Sequence, residues 1–328
     1  MKPVFADPKT DIIFKKVFGE KAHKDVLIAL LNALLELDEA HQIIDIEYLT
    51  PEQLPQHPGL RLSILDVKCI DAIGTRYVVE MQVIEVEGFQ KRVVYNACKA
   101  YTSQLGVGED YPALNDVIAV TICDFVLWPG PPDGPEVPLL SRWRLSEQHT
   151  GAPGPGEVQF VFLELPKYDR GDAPRTAVER WAWFFQRATL QRAVPQGLDT
   201  PPLAKALEVA RVANLTEEEG TEYEREKMAI QDFRGGLSLA EKRGKQKGMR
   251  RGMQKGLQKG LQKGMQKGLE KGREEGLRLG LRRAILDLAE LLALPMSVER
   301  LHALDQLDAD ALEALGAHLK AHRAWPPA

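Results

Sequence analysis

Two runs rich in Val, Ile and Leu, at residues 63–71 and 75–84, are separated by Ala72, Ile73 and Gly74, and each carries an acid within its apolar stretch. This pattern constrains the fold more than any other in the chain. Apolar runs around a three-residue connection ending in Gly predict a β-hairpin whose type I turn is closed by a left-handed residue. With Asp71 paired to Thr75, the ladder sets Asp66 across from Glu80. Both acids then project from one face, because side chains two apart along a strand share a face. Opposed residues have Cβ atoms about 5 Å apart, and like charges placed there repel. A divalent cation held between them would relieve the repulsion.

A chain of 328 residues has room for two or three domains and a substantial core. Its net charge of −4 is the average of two unlike parts. Residues 241–283 hold fifteen Lys or Arg against four Glu, an excess of +11, which leaves −15 on the remainder. Cys69, Cys98 and Cys123 are far apart, form no CxxC and lie in apolar runs, so they read as reduced core residues. The seven His are scattered and lack the spacing of a zinc site. The first residues, MKPVFADPKTD, lack the apolar region of a signal peptide, and no run approaches the ~20 apolar residues of a membrane span. A cytoplasmic protein without a membrane partner is the expectation, with nucleoid association as an option within it.

Asp7 followed by Pro8 predicts a helix start, a capping acid before a residue whose φ suits the first turn. Ile13, Phe14, Val17 and Phe18 form its apolar stripe, and Gly19 ends it. A second helix over 24–37 repeats the pattern. Residues 42–49 predict a strand, and Pro51, Pro55, Pro58 and Gly59 a loop. After the hairpin, residues 88–104 carry helical spacing at Phe89, Val93, Ala97 and Ala100, with Arg92, Asn96 and Lys99 on the polar side. Residues 116–126 are almost wholly apolar, as in a strand buried on both faces. Further strands are expected at 140–145 and 158–165, and a helix rich in Trp and Phe at 175–188. The order predicts an α/β fold, a mixed sheet flanked by helices, over 1–195, followed by a charged helical connector over 196–240.

Residues 244–280 repeat every four, with Gly at each fourth position and Met or Leu after most of them. Four residues advance an α-helix by about 400°, so the apolar stripe drifts about 40° per repeat. A period longer than 3.6 favours right-handed supercoiling, and Gly lets backbones approach closely. Ten glycines cost on the order of 8 to 10 kcal/mol relative to Ala, so the segment, assigned to 241–283, is expected to be frayed in isolation. Its lysines, among them Lys255, Lys259, Lys263 and Lys267, have two readings. They neutralise DNA phosphates without reading sequence, or they keep a linker or oligomerisation stalk soluble. No aromatic residue interrupts the segment, which disfavours single-strand stacking and points to duplex. Residues 281–294 and 298–319 read as two amphipathic helices of a small cap, 284–328.

The motif DPKTDIIFKKVFG at 7–19, LDV at 65–67, VEMQV at 79–83 and the helix carrying Arg92, Tyr95 and Tyr101 resemble the PD-(D/E)xK nuclease superfamily. Within it, they are similar to the Rpn family of recombination-promoting nucleases and transposases. The resemblance covers residues 1–125 best, and the glycine tetrads look like that family's carboxy-terminal half.

It implies a metal-dependent DNA endonuclease in which Asp66 and Glu80, with the Met81 carbonyl, bind Mg²⁺ or Mn²⁺. Gln82 stands where the superfamily usually has Lys; it cannot serve as a base but can orient a water. Lys68, on the face of Asp66, is the candidate for a displaced catalytic ammonium. Asp11 matches the family's first acidic position, beside the metal or bracing the helix. Arg92 and Lys99 are candidate DNA contacts, with a solvated helix face as the bland alternative, and Tyr95 and Tyr101 read as packing. Double-strand cleavage implies a homodimer or higher homo-oligomer. The departure at Gln82 keeps a second reading open: a nuclease-like fold that binds DNA or protein without cleaving.

Overall fold

The apolar stripe of the first helix fits one side of α1 (Asp11–Phe18), which buries Ile13, Phe14, Val17 and Phe18 and ends at Gly19. The computed structural model describes residues 3–53, 63–106, 108–130 and 134–326. The loop expected at Pro55, Pro58 and Gly59 lies outside them. Helix α1 starts later than Asp7-Pro8 suggested, because the Asp7 carboxylate accepts the Lys9 amide at 3.1 Å and the Thr10 hydroxyl donates to the Asp7 carbonyl at 2.8 Å. Those local bonds hold a turn before the helix. Helix α2 (Lys24–Leu35) buries six aliphatic residues from Val26 to Leu35.

Strand β1 (Ile46–Tyr48) is shorter than the run at 42–49. The single strand expected over 63–71 is divided: β3 (Ser63–Ile64) pairs with β2 (Glu52–Gln53) in a small sheet, and β4 (Val67–Asp71) belongs to the main one. The Leu65 amide, donating to the Pro51 carbonyl at 3.1 Å, marks where the chain changes sheets. Strand β5 (Arg76–Gln82) completes the hairpin with β4. Its turn is the expected one: Asp71 N–H donates to the Thr75 carbonyl at 3.0 Å, and Gly74 has φ 97°, a conformation natural to Gly.

Helix α3 (Phe89–Thr102) crosses to β6 (Val117–Cys123), which runs parallel to β5. Strand β7 (Leu140–Trp143) lies at the edge against β8 (Val158–Glu164), itself parallel to β6. The six-stranded sheet has the order β1-β4-β5-β6-β8-β7, a mixed sheet with helices on both faces. On one face α1, α2, α4 (Ala177–Arg187) and α5 (Pro201–Val209) bury an aromatic cluster of Phe14, Phe18, Trp181, Phe184 and Phe185. On the other, Phe89, Val93, Ala97 and Ala100 of α3 pack on Val78, Val117 and Ala119.

The chain divides into two compact units, Met1–Leu237 and Ser238–Ala328. Of residues 196–240, expected as a charged helical connector, those up to Leu237 belong to the first unit, and Leu203, Ala206, Leu207 and Tyr223 are buried in its core. The Ala6 amide donates to the Ala210 carbonyl at 2.7 Å, fastening the two ends of this unit together. Tyr223 lies on α6 (Glu217–Leu291), which also carries all ten tetrad glycines. Within the full chain this segment is helical throughout. Lys, Gln, Met, Leu and Arg between the glycines are strong helix formers, and no non-local heavy atom lies within 4 Å of a Cβ built on any tetrad glycine.

In the second unit α7 (Val298–Gln306) and α8 (Ala309–His322) close a small core of Ile285, Leu304, Leu312 and Leu319. They divide the run 298–319 into two helices, because Asp308 caps the second through the Ala311 amide. No helix among the described residues is long and apolar enough to cross a membrane.

Candidate active site

The acids of the hairpin meet at the carboxyl end of β5, the end at which open α/β sheets place their ligands. Ladder pairs run from Ile70–Arg76 to Val67–Val79, so continuing the register puts Asp66 opposite Glu80, as the turn required. Asp66 itself lies at a bend just outside β4. Alternation of ladder bonds would next hand the Met81 amide to the Leu65 carbonyl. With the chain leaving the sheet there, the Asp66 carboxylate accepts that amide instead, at 2.7 Å. The broken rung is what turns a strand residue into a fixed carboxylate.

Glu80 is 8% exposed, and its Oε1 accepts the Asn96 side-chain amide from α3 at 2.7 Å. Burial raises its pKa, against the Asn96 bond and the charge of Arg92. Asp66 is pushed up to about 7, first by burial and then by the charges of Asp11 and Glu80, with the Met81 amide and Lys15 opposing. Two acids that burial disfavours as anions, with the charge of Glu80 adding to that at Asp66, form a donor set suited to a small, hard cation. Mg²⁺ typically takes one or two carboxylates and keeps several waters, so Asp66 and Glu80 fit it. Among the described residues no cluster of three or more His, Cys, Asp or Glu side chains is gathered as a fuller cage.

Gln82, the last residue of β5, donates to the Ile84 carbonyl at 2.6 Å and accepts from Arg92. Arg92 therefore lies beside the acids, over the Phe89 ring at 5.3 Å. Lys99 donates to the Gln53 carbonyl at 2.7 Å and lies over the Tyr95 ring at 5.8 Å. Tyr95 is 43% exposed, and Tyr101 packs against the α3 core. Lys255, Lys259, Lys263 and Lys267 are exposed on α6.

Lys68 is 8% exposed, and burial followed by the charge of Arg76 lowers its pKa. Its neighbouring charge is thus a cation rather than Asp66. The ammonium that acts on Asp66 belongs to Lys15, which the hairpin alone did not reveal. Lys15 Nζ lies 2.8 Å from Asp11 Oδ2, one helical turn away. Partial burial works against its charge, but the Asp11 bond and then the charges of Asp11, Asp66 and Glu226 raise its pKa. Only the i, i+4 spacing of Asp11 and Lys15 signalled the pair in the sequence.

Asp11 is anchored from far along the chain. The Glu226 carboxylate of α6 accepts the Asp11 amide at 2.5 Å and the Ile12 amide at 3.3 Å. It caps α1 where a local side chain would usually do so, since Thr10 makes no side-chain cap bond. Asp124, just beyond β6, donates its amide to the Gln82 carbonyl at 2.9 Å and pairs with Arg234 at 2.6 Å.

The hairpin sets Asp66 opposite Glu80, and the charge of Asp11 on α1 acts on Asp66. A family model described as PD-(D/E)XK nuclease family transposase matches residues 8–240, more than half of the chain. The chain belongs to this family. As a PD-(D/E)XK family member it is nuclease-like, in a family that acts on DNA, and divalent metals are the usual cofactor there. The match extends through the start of α6, consistent with the packing of that segment into the first unit. No match was found among curated proteins or solved structures.

Proposed function

We propose that the protein is a metal-dependent endonuclease that hydrolyses phosphodiester bonds of duplex DNA with little sequence preference, in recombination or the biology of mobile elements and phage. The observation that carries this reading is the pair Asp66 and Glu80: Glu80 buried and Asp66 half-buried, set opposite each other by the hairpin register, and held by Asn96 and the Met81 amide at the carboxyl end of β5. Buried acids in this state are characteristic of functional sites.

When bound, Mg²⁺ or Mn²⁺ supplies positive charge to the scissile phosphate and acidifies a water. Asp66 and Glu80 hold the ion. Asn96 fixes the rotamer of Glu80, and the Met81 amide fixes Asp66. Gln82, oriented by Arg92 and the Ile84 carbonyl, positions water rather than accepting its proton. Arg92 and the α6 lysines Lys255, Lys259, Lys263 and Lys267 meet DNA phosphates, and two copies supply the two sites needed for a double-strand break.

The test is plasmid relaxation and linearisation by purified protein in Mg²⁺, Mn²⁺ or EDTA, beside Asp66→Ala and Glu80→Ala. Cleavage is expected only for the wild type with metal. Equal activity of the variants, or an inert wild type in every condition, overturns the reading. One observation favours the alternative of a non-cleaving DNA-binding or interaction module: both ends of the Gln82 amide are engaged. That alternative is the outcome in which the wild type binds duplex tightly and cuts nothing.

A further inference from the structure

We propose that Lys68 and Arg76 form a binding site for a phosphate group, on the same face of the hairpin as Asp66 and Glu80 and one step further along it. The ladder puts Lys68 opposite Val78 and Ile70 opposite Arg76. Lys68 and Arg76 are therefore diagonal neighbours on adjacent strands, a separation that two long side chains span. Both lie on the α3 face, because Val78 packs on α3 and Glu80 accepts a bond from Asn96, while Val67, Cys69 and Val79 face the other core.

Like charges so placed repel, and a shielded cation is costly unless an anion faces it. Lys68 is 8% exposed, and among the described residues no hydrogen bond or ion pair holds its ammonium. The Arg76 guanidinium is likewise without a bond or ion pair there, and its Nε is buried with no acceptor. Other shielded lysines are treated differently: Lys167 bonds Glu164 Oε1 at 2.8 Å and two carbonyls, and Lys9 bonds the Phe185 carbonyl at 3.0 Å and Asp7 at 3.1 Å. Burial, then the charge of Arg76, disfavours the Lys68 cation, and burial disfavours that of Arg76. Glu47 of β1, opposite Ile70, shares the face but is exposed and in no ion pair among the described residues. Residues 54–62, between β2 and β3, contain no Asp or Glu and add His57 and Arg61.

A phosphate group supplies what the pair lacks. Its oxygens take the guanidinium fork of Arg76 and the point charge of Lys68 together, and Arg76, only partly buried, opens the pair to solvent. Lys68 follows Asp66 by two residues, about 7 Å along a strand, comparable with the step between neighbouring phosphates of one DNA strand. Two sources share this chemistry. One is the backbone phosphate next to that held at the acids, which rests on the nuclease reading above; the other is a free phosphate compound, which does not.

The experiment melts full-length wild type, Lys68→Met, Arg76→Met and Lys68→Arg in EDTA, in sodium chloride and then in sodium phosphate of equal ionic strength. Inorganic phosphate that binds the folded state alone should raise the wild-type melting temperature by about 2 to 4 °C. The two Met variants should melt at or above wild type in chloride, since each removes one of two repelling cations, and should lose the phosphate response. Lys68→Arg, which keeps the charge, should keep the response. The same proteins are titrated into a labelled duplex oligonucleotide, again in EDTA, and followed by fluorescence anisotropy. If DNA supplies the phosphate, each Met variant binds duplex about 5- to 10-fold more weakly and lowers the slope of log affinity against log salt by about 1. If a free compound supplies it, duplex affinity stays and only the phosphate response is lost.

A wild type that melts alike in phosphate and chloride overturns the site. So does a Met variant that melts below wild type in chloride or keeps the full phosphate shift. A wild type that cleaves under no metal condition overturns the nuclease reading alone, since neither measurement here depends on cleavage.

Discussion

Single side chains decide the chemistry of the hairpin, and Asp66 shows how. Its carboxyl pKa is pushed up to about 7 from an ordinary value near 4, because burial and the charges of Asp11 and Glu80 disfavour the anion. The folded state then binds more protons than the unfolded state between about pH 4 and 7, so this residue's contribution to stability falls as pH rises through that window. In EDTA, urea midpoints of the wild type should decline from pH 5 to pH 7.5 more than those of Asp66→Asn. A parallel decline in both would contradict the assignment. Asn96 makes a second case, since Asn96→Leu leaves the buried Glu80 without its donor. Loss of such a bond costs about 1 to 3 kcal/mol; thermal melting in EDTA reads it directly. These residues were partly legible beforehand: Asp66 and Glu80 stood out as acids in apolar strands, whereas Asn96 looked like an ordinary polar position on α3.

Among the elements, α1 and the first turns of α6 form the supporting pair. The Tyr223 hydroxyl accepts the Asp7 amide at 3.0 Å, and Glu226 takes the next two free amides at the start of α1. An N-terminal cap is worth about 0.5 to 2 kcal/mol, so Glu226→Ala should lower stability by that order in chemical denaturation. In the proposed nuclease it should also slow cleavage, since Asp11 loses its anchored frame. A full-stability Glu226→Ala with normal cleavage would show that α1 needs no such support. The composition of α6 hid this function, because Glu219, Tyr223 and Glu226 sit in a run so charged that it reads as solvated.

At the level of the whole chain, the basic half of α6 is the part whose role depends on what lies outside one copy. Met249, Met253, Leu257, Leu261, Met265 and Leu269 are each at least two-thirds exposed or nearly so, beside glycines with open space where a Cβ would stand. Replacing Gly256, Gly260 and Gly264 by Ala should add helical stability of about 0.8 to 1 kcal/mol each, seen as a higher melting temperature of the helical circular dichroism signal. If those glycines admit a second backbone, light scattering will show a smaller assembly for the triple variant. For DNA, neutralising Lys255, Lys259, Lys263 and Lys267 together should reduce the slope of log affinity against log salt by about 3 to 4. An unchanged slope would remove these lysines from the DNA interface.

Local information was enough for the features that adjacent residues encode. Turn length and the Gly74 position set the hairpin register, and with it the opposition of Asp66 and Glu80, because a two-residue period leaves no freedom once the turn is chosen. Helical spacing set α1 to α4, and the apolar run at 116–126 set a strand buried on both faces. Packing between distant segments decided the rest. The chain's departure toward β2 broke the strand at Asp66, Glu226 reached α1 across 215 residues, and the docking of α1 placed Lys15 rather than Lys68 in the field of the acids. Periodicity records which face a residue takes; which charge stands opposite it depends on how separate elements close over one another.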